Sequence, residues 1–210
     1  MTTSWLRRSA LVVALASPLA GCAFFTKSDP VVLRYFTPET LVTRPDSSGV
    51  ALAMRPTSLD LRLGRVNSAS YLKDRIAFRD RNFEIGYYEV LRWTEKPEAY
   101  LRRALQRALF EEQGVRQIIS GPGPTLDVDL DAFEELKSPR HVARMQVTWI
   151  LHDDQHVQHE ETFTVERPIS TSEPTGPGGI AEAMAEAFDE SVKRVVTRVT
   201  GALSQPAPPP

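Results

Sequence analysis

Cysteine is the scarcest residue type that bears on the chemistry of this chain. Cys22 is the only cysteine among 210 residues, so an intrachain disulfide, a zinc–cysteine cluster and an iron–sulfur site are excluded. The fold must therefore depend on its apolar core. An excess of basic charge is also missing, because 25 Lys and Arg stand against 27 Asp and Glu. This balance argues against nucleic acid as a partner.

The sequence patterns of catalytic and metal sites are missing as well. Residues 159–163 begin like a zinc-protease helix, but Phe163 occupies the position of the second histidine. Residues 127–131 open like a calcium loop, but Ala132 replaces the required glycine, so we interpret the aspartates as an exposed strand face. Neither a G-x-S-x-G elbow nor a phosphate-binding glycine motif is present. We therefore expect a protein that is not an enzyme and has no metal ion and no cofactor.

Two further clusters have an ordinary structural explanation. Strand geometry places His156 and His159 on opposite faces, so we interpret these histidines, with His152, as a solvated hairpin tip. Residues 176–179 precede a helix whose free N–H groups would favour an anion. Because no phosphate-binding signature accompanies these glycines, we interpret the stretch as a loop that caps the helix.

The first residues have the organisation of a secretory signal. Arg7 and Arg8 precede the apolar run 10–16, which is too short to span a bilayer, and small residues follow it up to Cys22. Residues 19–22, LAGC, resemble a bacterial lipobox, in which the cysteine carries diacylglycerol and becomes the first residue after cleavage. An ordinary signal peptide that contains a cysteine is the alternative. Two or more acyl chains on Cys22 would hold the protein stably at a membrane.

The chain then divides into four predicted segments. Residues 1–21 are the lipoprotein signal peptide, and residues 22–30 are the lipidated amino terminus with a short tether. Residues 31–203 form a single domain, and the proline-rich tail 204–210 is disordered. Even fully extended, the tether reaches on the order of 25 Å. The domain must therefore lie close to the membrane.

Apolar periodicity predicts both strands and helices in this domain. Period-two runs predict strands at 31–36, 59–63 and 126–131, and hairpins that pair 75–79 with 83–88 and 142–151 with 157–165. Pro97 opens a helix along which Leu101, Leu105 and Leu109 share a face until Gly114 ends it. A second helix follows residue 179 and ends near Gly201. We therefore expect an α+β fold, with a mostly antiparallel sheet packed against two long amphipathic helices in a single domain.

The stretch between Ser70 and Arg107 is dense in basic and aromatic residues. The residues that form the pattern are, in sequence order, Tyr71, Leu72, Asp74, Arg75, Ile76, Arg79, Arg92, Trp93, Glu95 and Pro97. This order resembles the ABC-type transport auxiliary lipoproteins, the PqiC-like partners of MCE-domain lipid-transport systems. The lipobox, the aromatic run 34–36, the acidic strand before Phe133 and Trp149 extend the resemblance over nearly all of the mature chain.

The resemblance implies a protein that has no activity of its own and works beside an ABC permease, its ATPase and a membrane-anchored MCE protein. Such systems move phospholipid or another hydrophobic molecule across the periplasm. Ala23 after the lipidated cysteine is similar to lipoproteins that are sorted to the outer membrane. We therefore expect attachment to the inner leaflet of the outer membrane, with the domain in the periplasm.

A docking contact is the mechanism that we expect. Tyrosine, tryptophan and arginine dominate interface hot spots, and the partner-binding hypothesis therefore names Tyr71, Leu72, Arg79, Arg92 and Trp93. The alternative is that Tyr71 and Trp93 are core or rim packing and that Arg79 is a solvated charge. Two other functions stay open, namely a lipid carrier and a structural or assembly lipoprotein of an outer-membrane complex. Homo-oligomerisation is also open.

Overall fold

The element order is that of an α+β protein, as predicted. The computed structural model describes residues 30–39, 58–81, 83–170 and 177–205, and from Leu33 onward the chain forms one compact unit. Its strands are β1 (Arg34–Phe36), β2 (Asp60–Ser68), β3 (Arg75–Arg81), β4 (Glu84–Trp93), β5 (Arg116–Gln117), β6 (Thr125–Leu136), β7 (Val142–His152) and β8 (Val157–Pro168). Its helices are α1 (Pro97–Gln106), which continues as a π-helix over Arg107–Glu112, and α2 (Pro177–Leu203).

The eight strands form one mixed sheet. Both predicted hairpins are present, since β3 pairs with β4 and β7 with β8 in antiparallel fashion. Parallel pairs join β1 to β4, β2 to β5, β2 to β6 and β3 to β6. The expectation of a mostly antiparallel sheet is therefore not confirmed. The reason is that β2 and β3 reach β6 through a long connection that contains α1, and such crossovers allow parallel pairing.

The long strand β6 organises the sheet. Its first half lies beside β2, with Leu130 as the last partnered residue, and its second half lies beside β3 from Glu134 onward. The opposite edge of β6 pairs with β7 along the whole strand. Two different strands therefore share one edge of β6, and the sheet divides between Leu130 and Glu134. The segment that connects β2 to β3 passes this division.

Both helices pack against the sheet and against each other. The predicted leucine stripe of the first helix, Leu101, Leu105 and Leu109, is buried. Gly114 follows it in the left-handed region, at φ 66°, where glycine ends helices most readily. No helix in the described part of the chain has both the length and the apolar composition needed to cross a bilayer.

An aromatic stack connects the sheet to α2. The Trp93 ring of β4 lies 5.1 Å from the Phe133 ring of β6, with an interplanar angle of 18°. Phe133 in turn lies 6.2 Å from Phe188 of α2. All three side chains are buried, and Trp93 is only 1% exposed. Such ring pairs contribute beyond the area that they bury, so this stack holds the helical layer onto the centre of the sheet.

We expect Trp93→Ala to lower the free energy of unfolding by about 3–5 kcal/mol, because it leaves a cavity beside Phe133. Phe83→Ala is the matched control, since Phe83 is 95% exposed, and a surface change of this kind stays within about 0.5 kcal/mol. Urea unfolding followed by circular dichroism measures both. Equal stability of the two variants would contradict the assignment of Trp93 to the core.

Candidate functional site

Tyr71 lies at the division of the sheet. Its hydroxyl is 3.2 Å from the Asp131 carbonyl oxygen and 3.2 Å from Oε2 of Glu134. The connecting segment is held against β6 because the Ala69 N–H donates to the Leu130 carbonyl at 2.9 Å. The next residue, Leu72, is buried at 4% exposure. The tyrosine ring therefore covers the stretch of β6 that has neither β2 nor β3 beside it.

Glu134 is the common acceptor for the polar side chains at this point of the sheet. The residue is fully buried, at 0% exposure. Nε of Arg79 donates to its Oε1 at 3.0 Å, and the Arg144 guanidinium donates to the same oxygen. With Tyr71, the carboxylate has donors from the β2–β3 connection, β3 and β7. A buried carboxylate needs such charge-assisted partners, because the loss of hydration is costly for an unpaired charge.

Tyr71 and Arg79 have raised pKa values, which suits their role as donors to Glu134. Burial, together with the negative charge of Glu134, raises the pKa of the Tyr71 phenol far above its usual value. The hydrogen bond to Glu134 raises the pKa of Arg79 as well. Both groups therefore keep their protons at neutral pH and remain donors to Glu134.

Arg92 and Trp93 lie at the other end of the β3–β4 hairpin. The Arg92 guanidinium donates to the Tyr88 carbonyl at 2.9 Å, and its Nε is 3.7 Å from Oδ2 of Asp74. Arg92 is 9% exposed, and Trp93 belongs to the aromatic stack. The structure thus brings Tyr71 and Arg79 together on Glu134 and places Leu72, Arg92 and Trp93 in buried positions. Partner contact through these five residues stays a prediction.

Glu134 and Arg144 were missed as site residues by the sequence analysis. The strand alternates regularly up to Leu130, and a register shift between Leu130 and Ala132 then changes which side chains face the helices. After the shift Glu134 and Glu135 are both buried, at 0% and 2% exposure. Two adjacent acids in an otherwise apolar strand, directly after a break in the alternation, are the sequence signal that would have found the cluster.

The aspartates of β6 are not the solvated face that we expected. Asp127 is buried and accepts three hydrogen bonds from Arg65, one of them from the backbone N–H at 2.7 Å. Burial opposes the ionisation of Asp127, but these hydrogen bonds outweigh it and hold the pKa below its usual value of 3.8. Asp129 accepts from Asn67, and Asp131 accepts from Thr148. The acidic row is therefore paired with neighbouring strands.

The three histidines have separate surroundings. Nε2 of His152 lies 3.7 Å from Asp127, Nδ1 of His156 lies 4.0 Å from Asp153, and the His159 ring stacks on Trp149. Among the described residues, no group of three or more potential ligands could hold a metal ion. Cys22 and residues 171–176 lie outside the described residues.

A groove between the helices is the second candidate site. It lies between the end of α1, the π-helix and α2, and its volume is about 270 Å³. Apolar and charged side chains share its lining, including Ala104, Ala108, Val192, Val196, Arg107 and Lys193. Ligand pockets usually measure about 300–1,000 Å³ and are mostly apolar. This groove is slightly smaller, and its lining includes charged groups.

The chain is similar to one family of known proteins. The family of the ABC-type transport auxiliary lipoprotein component matches residues 38–199. The chain belongs to this family. No curated protein matches the chain.

Solved structures share the fold of this auxiliary lipoprotein. The crystal structure of a protein from Xanthomonas campestris is 23% identical, with a TM-score of 0.60, and the match covers 82% of this chain and 94% of that one. The crystal structure of an uncharacterized protein is 14% identical, with a TM-score of 0.56, and the match covers 70% and 95%. At such low identities the likeness shows the fold alone.

The Glu134 cluster of the auxiliary lipoprotein generates a stability prediction. Glu134→Gln keeps the shape of the side chain but leaves Arg79 and Arg144 without their shared negative charge. We expect the free energy of unfolding to fall by about 3 kcal/mol. This is at the lower end of the usual cost of breaking a buried ion pair, because both arginines keep some contact with water. Glu166→Gln, which breaks the exposed pair with Arg140, should cost less than about 1 kcal/mol. Chemical denaturation measures the stability of both variants. If Glu134→Gln were as stable as the wild type, the role of the cluster would be contradicted.

Acid unfolding tests the pairing of Asp127. Because its pKa is lower in the folded state than the ordinary 3.8, its ionisation stabilises the fold above that pH, and this stabilisation is lost as the pH falls further. We expect Asp127→Asn to make the free energy of unfolding less dependent on pH between about 5 and 2. Urea titrations across this range measure the slope. A slope equal to that of wild type, and of the exposed control Asp80→Asn, would refute the prediction.

Proposed function

We propose that this protein is a non-catalytic auxiliary lipoprotein that docks on the periplasmic MCE component of an ABC transporter. In this role it assists the movement of phospholipid or another hydrophobic molecule between the inner and outer membranes. The observation that carries the proposal is the family match over residues 38–199, together with the order of residues 71–97 that resembles the PqiC-like proteins.

The anchor in this proposal is Cys22. Residues 19–22 resemble a lipobox, and the family is one of lipoproteins. Ala23 favours sorting to the inner leaflet of the outer membrane. A domain tethered in this way has a high effective concentration beside its membrane partners, so weak contacts suffice for docking.

Tyr71 and Arg79 are the residues through which we propose the docking contact. Both side chains are only partly buried, and both are held in place by Glu134. Leu72, Arg92 and Trp93 belong to the same predicted contact, but their own surfaces are covered within the domain, so Tyr71 and Arg79 are its members that can reach a partner. An interface needs anchors of fixed geometry, since ordering a loose side chain on binding costs free energy.

Docking is favoured over lipid carriage by the helix groove. Its volume of about 270 Å³ and the charged side chains in its lining suit a protein side chain or a short segment better than an enclosed acyl chain. The charged groups around the Tyr71 hydroxyl, Glu134 with Arg79 and Arg144, are already paired with each other, which suits a binding module better than an active site.

A mild-detergent pull-down of the acylated protein from its native envelope tests the proposal. We expect an MCE protein and ABC subunits among the partners, and an acylated Cys22 at the mature amino terminus. Arg79→Gln should weaken the capture of the MCE protein, whereas Arg81→Gln, an exposed change on the same strand, should not. Thermal melting of both variants shows whether the domain stays folded.

Three other outcomes would decide against the proposal. Capture of an outer-membrane complex without an MCE protein would support the structural alternative. Phospholipid extracted in stoichiometric amount from the purified domain would support the lipid carrier. An unacylated Cys22 would remove the anchor.

A further inference from the structure

Arg144 lies on the face of the sheet that is turned away from the helices. Its neighbours along β7, Met145 and Val147, belong to the core cluster that also contains residues of both helices. Successive side chains of a strand point to opposite faces, so Arg144 points the other way. Its side chain is 25% exposed, and that of Arg79 is 19% exposed. The cluster around Glu134 can therefore be reached from this face.

The pairing around Glu134 leaves one positive charge in excess. Two guanidinium groups, those of Arg79 and Arg144, share a single carboxylate that is fully buried. The same three groups supply the charges that act on the Tyr71 phenol. A charge in a partly buried site interacts with a counter-charge more strongly than it would in water. This cluster therefore favours a second anion.

Neighbouring acids on this face have partners of their own. The Thr148 hydroxyl donates to Oδ2 of Asp131 at 2.6 Å. Glu166 stands in register with Arg144, but its Oε2 accepts from the Arg140 guanidinium at 2.6 Å. Among the described residues, no ion pair joins either of these carboxylates to Arg144. The excess charge is therefore not cancelled by a second carboxylate in contact with it.

Arg144 has donors that the cluster does not use. Its Nη2 donates to Glu134, whereas its Nε is buried and has no partner in the part of the chain that the structure describes. A guanidinium has five N–H donors in a planar fork, and this fork matches the two oxygens of a carboxylate. The exposed side of this guanidinium is therefore able to bind a second carboxylate.

The surroundings favour a protein carboxylate over a lipid phosphate. Anionic lipids are usually recognised by clusters of about four to eight basic residues that extend to the headgroups. Only Arg79 and Arg144 contact this carboxylate in the described part of the chain, and both are mostly covered. The half-buried Tyr71 and Leu136 lie beside them. A polar centre with an apolar border is typical of the contact surface for a folded partner.

We propose that Arg144, together with Arg79, binds the carboxylate of an aspartate or glutamate side chain on the docking partner. This contact deepens the docking function proposed above and rests on it. It adds a residue of β7 to a contact that the sequence pattern had limited to residues 71–93. It also gives the partner a stated chemistry, namely an acidic side chain that neutralises the excess charge around Glu134.

Capture of the MCE protein from native envelopes by the full-length acylated protein measures this contact. Arg144→Gln removes the excess charge and leaves Arg79 paired with Glu134. We expect it to reduce the captured MCE protein about tenfold, the size of effect typical of a hot-spot arginine. Arg144→Lys keeps the charge and should retain most of the capture. Arg140→Gln is the matched control, because it removes an exposed arginine that is paired with Glu166, and it should leave capture unchanged.

A water-soluble carbodiimide then locates the carboxylate. The reagent condenses an amine with a carboxylate to an amide and takes up the water, whereas a guanidinium does not react. Treated complexes of Arg144→Lys should therefore contain an amide between the introduced amine and an acidic residue of the MCE protein, which peptide mass spectrometry identifies. Arg140→Lys should not give an amide to the same residue. This result decides the proposal if thermal melting shows that Arg144→Gln is unfolded.

The outcomes separate this contact from the docking function. A wild-type protein that captures no MCE protein would overturn the docking function and the carboxylate contact with it. Wild-type capture that Arg144→Gln leaves unchanged, or an amide that forms only with Glu134 of the same chain, would overturn the contact and leave docking in place. Unchanged capture with a loss of co-purified anionic phospholipid from Arg144→Gln would assign Arg144 to a lipid instead.

Discussion

The hydrogen bonds and ion pairs of the buried Glu134 carboxylate are the interactions on which the strand arrangement of this domain depends. β6 offers one edge to two strands, and the sheet must stay continuous where β2 ends and β3 begins. Glu134 lies at this point and binds donors from the β2–β3 connection, β3 and β7 through Tyr71, Arg79 and Arg144. Because an unpaired buried charge is so unfavourable, this carboxylate selects the one register in which all three donors reach it.

The two faces of β6 stabilise the domain in different ways. Leu126, Val128, Leu130 and Phe133 belong to the core cluster with the helices. The acidic side chains are paired with neighbouring strands through Arg65, Asn67 and Thr148. Each of these acidic side chains is therefore held by a partner on an adjacent strand.

Local patterns predicted much of the fold and less of the site. The hairpins β3–β4 and β7–β8 and the two helices were predicted because neighbouring residues specify turns, alternation and helical periodicity. The parallel partners of β6 were not, because their pairing joins residues such as Ala77 and Glu134 that are distant in sequence. Tyr71 and Arg79 were singled out from a family resemblance, but their common partner was not. Its identity depends on the register shift after Leu130.

The sequence by itself determined the α+β class, the positions of the main strands and helices, and the resemblance to auxiliary lipoproteins, since each of these depends on residue order alone. Only the tertiary structure decided that Trp93 is covered by Phe133, that Asp127 is paired with Arg65, and that β1 lies parallel to β4. These facts depend on which strands become neighbours. That choice is made by packing and by burial of charge across the whole domain, which no short stretch of sequence specifies.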